Sequence, residues 1–236
     1  MDFYDLFLGS GGWGKLLACG ALLTLAVAFV GLLIGAVLGI ALAFARLSVS
    51  GGLLRLFADV YTTVMRGVPD LLVIYLLYFG GSSVLSSIGN TFGFTGFIGM
   101  PSFATGVLAL GAVSAAYQAE VYRGAFYSIS RGELEATRAA GMRPMLVFRR
   151  VIVPQVLRFA LPGLGNVWQL VVKESALISV IGLVELMRAS QLGAGSTRLP
   201  FAFYGVALLL YLLITSASGY LFIRAEAFTQ KPYRRA

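Results

Sequence analysis

At neutral pH the formal charge of this 236-residue sequence rests on eighteen Lys+Arg and ten Asp+Glu, because it contains no histidine. With Cys19 as its single cysteine, the chain cannot build a Cys/His zinc site, a histidine-dependent triad or an internal disulfide. What remains is transport, anchoring, or membrane chemistry on carboxylates. One pattern suggests nucleotide chemistry: Gly9-Ser10-Gly11-Gly12-Trp13-Gly14-Lys15 satisfies G-x-x-x-x-G-K. Leu16 then stands where a hydroxyl must ligand Mg²⁺, and no strand precedes the segment, so it reads as a glycine-rich entry to a helix. Any ATP chemistry must then sit on another polypeptide.

The elements that position the remaining charges follow from composition. Apolar residues make up 58% of the chain and charged ones 12%, the balance of a lipid-embedded protein. The net charge of +8, set against long apolar tracts, points to basic loops at a bilayer surface more than to nucleic acid. Thirty uncharged residues separate Lys15 from Arg46, more than the roughly 20 that cross a hydrocarbon core. Asp2 and Asp5 stand where a signal peptide would be basic, so this tract is expected to remain in the mature protein.

The uncharged run from Asp70 to Glu120 is divided by Gly80-Gly81-Ser82-Ser83 and by a Gly/Ser/Thr/Asn-rich stretch. Taken together, the pattern predicts one all-α polytopic domain over 1–236, with spans near 16–45, 68–88, 101–122, 155–183 and 199–223. On the first span Gly31, Gly35 and Gly39 recur every four residues, the spacing that lets helix backbones approach closely in lipid.

Five crossings place the termini on opposite sides. One set of loops holds fourteen of the basic residues and the other only Lys15, Lys173, Arg188 and Arg198. The positive-inside rule then puts the amino terminus outside and the carboxyl terminus in the cytoplasm. In this frame Lys173 and Glu174 lie about 22 Å along a helix from Arg158, past the midplane. They line a polar path for a charged substrate, pair with each other, or pair with another helix; adjacent helical residues do not face each other, which makes another helix the stronger structural alternative. Glu120 and Arg123 read as an interfacial ion pair. Arg66 and Asp70, flanking Gly67 and Pro69, mark a kink with a possible gating role.

The basic loop over 130–154 reads as two short helices. Ser130-Arg131-Gly132-Glu133 matches the capping box S-x-x-E, Gly141 suits a left-handed helix terminus, and Pro144 suits a first turn. Glu135 lies at pairing distance from Arg138 and Arg131 on the first helix, whose Ala136, Ala139 and Ala140 are small. Two roles fit such a segment: a compact knob filling a partner's groove, or an interfacial helix touching lipid phosphates.

Glu135-Ala136-Thr137, Gly141 and Val151-Ile152-Val153-Pro154 resemble the EAA signature, E-A-A-x3-G-x9-I-x-L-P, of membrane subunits of bacterial ATP-binding-cassette importers. Thr137, Val151 and Val153 depart from it by conservative exchanges. The resemblance continues in Arg66-Gly67-Val68-Pro69-Asp70, Glu120 with Arg123-Gly124, Phe148-Arg149-Arg150, Leu161-Pro162 to Asn166, and Lys173-Glu174-Ser175-Ala176-Leu177. It covers nearly the whole chain and lies nearest the polar amino-acid permeases handling histidine, basic amino acids and opines.

The resemblance implies that Glu135, Ala136, Thr137, Ala139, Gly141 and Pro154 belong to a cytoplasmic coupling loop gripped by an ATPase, with Gly141 making the bend. It further implies two ATPase subunits carrying ATP and Mg²⁺, a second permease subunit, identical or related, and a soluble binding protein. The chain itself would be non-catalytic, bind no cofactor or metal, and reside in the inner membrane among lipid. A proton- or ion-coupled carrier using Glu174 is the rival class, for which inverted repeats would be expected; none is visible.

Overall fold

The computed structural model describes residues 3–7, 9, 12–48 and 52–230. Among them there are helices and connecting turns but no strand. The order is α1 (Phe3–Phe7), α2 (Gly14–Leu47), α3 (Gly52–Gly67), α4 (Asp70–Thr91, with a π turn at Leu76–Gly80), α5 (Ser102–Tyr127), α6 (Arg131–Ala139), α7 (Pro144–Val147), α8 (Val153–Glu174), α9 (Leu186–Thr197) and α10 (Pro200–Gln230). A second π turn, Phe148–Ile152, joins α7 to α8, and a 3₁₀ segment, Ser175–Ile181, follows α8.

Four of these helices, α2, α4, α5 and α10, are long and apolar enough to cross a bilayer. Leu208, Leu209, Leu212 and Leu213 of α10 are all exposed, an apolar outer face that suits lipid as solvent. The most apolar window of α5 is 67% buried against 11% for α10, so α5 is the central post.

α2 packs along α5 through its glycines. A Cβ on Gly39 would lie 3.0 Å from the Ala115 carbonyl oxygen and 3.2 Å from the Ala119 amide nitrogen; one on Gly31 would lie 3.0 Å from Leu110 Cβ. At Gly35 it would overlap Ser114 Oγ. This close approach bears out the four-residue glycine repeat, and it brings polar groups of α5 to the α2 backbone. Gln118 Nε2 donates to the Leu32 carbonyl at 3.0 Å, and Tyr122 OH donates to Gln118 Oε1 at 3.0 Å. Gly39→Val should force the two backbones apart at a cost of about 1–3 kcal/mol. The expected result is a lower thermal midpoint of the detergent-purified protein, with no change for Val37→Leu on the exposed face; equal midpoints for Gly39→Val and native protein would refute the close-packing role.

Three features differ from the expected arrangement. α3 lies where no helix was expected: it is amphipathic, burying Ala58 and Thr62 against the bundle while Leu53, Phe57, Val60 and Val64 stay exposed. The segment expected to run helical over 155–183 changes at Glu174. Ser175 Oγ donates to the Val172 carbonyl at 2.7 Å, the backbone tightens into the 3₁₀ segment, and Gly182 ends it at φ 88°. Finally, α9 occupies the stretch expected as a loop. Its cap is Glu185, fully buried, whose Oε1 accepts from the Arg188 amide at 2.8 Å and Oε2 from the Met187 amide at 2.9 Å.

Candidate functional site

The elbow formed by α6 and α7 stands outside the bundle. Ile129, 6% exposed, anchors its entry, whereas α6 itself buries nothing: Glu135, Ala136 and Ala139 are exposed and Thr137 is half-buried. Its far end is a Schellman turn. The Gly141 amide donates to the Arg138 carbonyl at 2.9 Å and the Met142 amide to the Thr137 carbonyl at 3.1 Å. Gly141 has φ 67°, a conformation that costs an L side chain roughly 1–2 kcal/mol, so glycine is needed at this bend. Pro144 opens α7 as its spacing predicts.

Two expected contacts are not formed. Ser130 sits at the N-cap with extended geometry, yet its side chain makes no capping hydrogen bond; the first-turn amides of this exposed end are left to water. Glu135 pairs with neither Arg138 nor Arg131: among the described residues it enters no ion pair within 4 Å. Its charge is therefore free for a partner.

The elbow is built into α8 through Pro154. Proline lacks the N–H that would continue the helical ladder, and its ring crowds the carbonyl one turn back. The chain meets this with the π turn Phe148–Ile152, where the Val153 amide reaches back five residues to the Phe148 carbonyl. Helical structure thus continues from α7 into α8 without a flexible joint.

A second charged constellation centres on Glu120 of α5. Arg46 Nη1 donates to Glu120 Oε1 at 2.5 Å, Arg123 Nη2 to Oε2 at 2.7 Å, and Arg66 Nη1 lies 3.4 Å from Oε1. Arg46 also meets Asp59 of α3 at 2.5 Å. The expected Glu120–Arg123 pair is thus one arm of a network that joins α2, α3 and α5. Arg66 leans over the Tyr117 ring at 5.7 Å. After it the chain breaks at Val68-Pro69, and Asp70 starts α4.

Asp70 faces Glu174 at the end of α8, and Glu174 Oε2 is buried without a hydrogen-bond partner. Lys173, beside it, is exposed and forms no ion pair among the described residues. Of the two structural alternatives for Glu174, mutual pairing with Lys173 is absent, and the neighbour on another helix is a second carboxyl. Arg66, Tyr117, Asp70 and Glu174 form one polar strip, which the sequence presents only as separate pairs. No group of three or more potential metal ligands occurs among the described residues. Of the glycine-rich segment at 9–15, Ser10 and Gly11 lie outside the described residues; Lys15 is an exposed residue in the first turn of α2.

An all-helical bundle with apolar outer faces, polar strips between its helices and a bare charged elbow defines a membrane transport subunit that works through partners. The chain belongs to the family of binding-protein-dependent transport system inner membrane components, whose model matches residues 31–225. It is 55% identical, across all of this chain and 99% of the relative, to the octopine transport system permease protein OccQ of Agrobacterium tumefaciens (strain Ach5). It is also 36% identical to the histidine/lysine/arginine/ornithine transport system permease protein HisQ of Escherichia coli (strain K12), over 88% of this chain and 90% of that one. A solved amino acid ABC transporter with histidines superimposes with a TM-score of 0.78 at 32% identity, covering 94% of this chain and 97% of that one. The resemblance drawn from the EAA residues is thereby borne out: the chain is the permease component of an ABC importer, and ATP hydrolysis belongs to separate subunits.

Proposed function

We propose that this chain is one half of the translocation unit of an importer for opines or basic amino acids, and that the α6–α7 elbow is its coupling loop. The observation that carries this reading is the elbow: a charged, small-residue helix that buries none of its residues among those described, locked by a Schellman turn and continued into α8. A rigid bend transmits a push that a floppy loop would absorb. Glu135, Ala136, Thr137 and Ala139 form the gripped surface, Gly141 fixes its angle, and Pro154 marks the joint to α8. Two ATPase subunits bearing ATP and Mg²⁺, a second permease subunit and a soluble binding protein complete the assembly.

In this reading the chain crosses the inner membrane five times, α8 supplying the fourth crossing, with the amino terminus outside and the carboxyl terminus in the cytoplasm. Arg66, Asp70, Lys173 and Glu174 line the substrate path. Its mixed charges suit a ligand carrying both carboxylates and a cationic side chain, the chemistry that OccQ and HisQ are named for.

A cysteine at Ala136 tests the reading. In the co-expressed importer it should crosslink to the ATPase, and the yield should change when ATP is bound; Ala112→Cys, inside the bundle on α5, serves as the control. Absence of any Ala136 crosslink, with the complex intact by gel filtration, rejects the elbow as the docking surface.

A further inference from the structure

Next to the elbow, the adjoining ends of α2, α5 and α8 do not close on one another. They leave a groove of about 210 Å³ whose walls include Ala43, Phe44, Tyr122, Phe126, Phe148 and Val156. Its lining is apolar, and the one hydroxyl among these six, that of Tyr122, is engaged by Gln118. One wall is the widened turn ahead of Pro154, from which Phe148 meets Phe44 across the groove at a centroid distance of 6.0 Å.

The same wall carries uncompensated charge. Between Arg143 and Gln155 there are three arginines and no carboxylate. Arg143, Arg149 and Arg150 are exposed and form no ion pair among the described residues. Arg149 and Arg150 occupy the turn between the lining residues Phe148 and Ile152, and Arg143 and Arg149 border the open hollow beside the elbow. The groove therefore has an apolar body and a cationic rim, at the end of the membrane-crossing helices.

The chemistry of the occupant follows from both parts. An extended peptide would bring backbone N–H and C=O groups that an apolar wall leaves unsatisfied. A hydrocarbon chain needs no hydrogen bonds, and arginines clustered beside a membrane helix attract anionic headgroups. We propose that this groove holds an acyl chain of an anionic phospholipid whose phosphate is bound by Arg149 and Arg150. The lipid would then fill the space between α2 and the turn that joins the elbow to α8. The inference needs the helices to lie in a membrane but does not depend on the elbow docking an ATPase.

The test uses the assembled importer reconstituted in vesicles of equal phosphatidylglycerol and phosphatidylcholine, released gently and read by native mass spectrometry. Native protein should retain phosphatidylglycerol over phosphatidylcholine by about tenfold. Arg149→Gln with Arg150→Gln should bring the ratio near one, and Val156→Trp, which fills the groove, should lower retention of both lipids. Equal retention by native protein overturns the proposal, as does an unchanged preference in the double variant. Loss of preference in the double variant with full retention in a monodisperse Val156→Trp protein means a headgroup ion pair without a seated chain, and also overturns it. Should Val156→Trp fail to fold, Val156→Phe, a smaller filling of the same groove, is scored in its place, with the same two outcomes. Co-purification of the ATPase, scored in parallel, separates a failed lipid site from a failed docking surface.

Discussion

Glu135→Lys is expected to reduce uptake to background while leaving the amount of protein in the membrane unchanged. The two halves of this result have separate causes. Glu135 is exposed, pairs with no neighbour, and lies on a helix that buries nothing, so its replacement should alter folding stability by no more than about 0.5 kcal/mol. At a docked interface the same change leaves the partner's complementary group facing a like charge. Removing one member of a desolvated hydrogen-bonded charge pair costs roughly 2–5 kcal/mol, and reversing its sign adds repulsion. A loss of that size weakens docking by about thirty-fold to several thousand-fold. Uptake into vesicles, ATPase co-purification and membrane content of the permease should be measured on one preparation. Glu135→Gln, which keeps the shape and removes the charge, should fall between. Full uptake by the lysine variant would rule out the coupling role, and loss of the protein from the membrane would mean that Glu135 supports folding instead.

How far the sequence reveals this molecule depends on the range of the interaction concerned. Contacts set by local spacing are readable. The glycine repeat on α2 predicts a close helix contact, and Gly141 with Pro144 predicts the bend and the restart of the elbow, because a positive φ and a missing N–H act within a few residues. The capping box at Ser130 is the instructive failure: the S-x-x-E spacing permits the bond, but at an exposed helix end water competes for the same amides. α3 was hidden by Arg55, Asp59 and Arg66, charges that interrupt its apolar run, although Leu53, Phe57, Val60 and Val64 do keep helical spacing. Long-range partners are not readable at all. Arg46 and Glu120 meet across 74 residues, and Asp70 reaches Glu174 only because α4 and α8 pack around α5. Charge alone marks Arg66, Asp70 and Glu174 in the sequence, but their union with Tyr117 in one strip is a property of the packing.

On the proposed coupling role the elbow's motion must reach the rest of the bundle, and the far end of α8 offers a route. Beyond Glu174 the 3₁₀ segment leads to Glu185, whose carboxylate accepts from Arg188 N, Met187 N, Tyr211 OH at 3.1 Å and Thr24 Oγ1 at 3.3 Å. One side chain thus caps α9 and ties it to α2 and α10, while Thr24 Oγ1 also accepts from the Leu186 amide at 3.2 Å. The sequence shows Glu185 only as a carboxylate between apolar neighbours, Leu183, Val184, Leu186 and Met187; the partners that fix it come from α2 and α10, more than 150 and about 25 residues away. Glu185→Ala leaves two amides and two hydroxyls without their acceptor in a site closed to water, each worth about 1–3 kcal/mol when left unpaired. After partial rearrangement the expected net loss is roughly 3–5 kcal/mol, or about 10 °C in the thermal midpoint of the purified permease. Tyr211→Phe removes one of four donors and leaves the carboxylate well satisfied, so its loss should stay near 1 kcal/mol. If the proposed coupling runs through α8, uptake should fall in the same order, because the stroke would move α2 and α10 only while the peg between them holds. An alanine variant that melts within a degree of native protein would remove Glu185 from that role. One that melts low yet transports normally at low temperature would keep the peg as a stabilising contact and deny it any part in transmission.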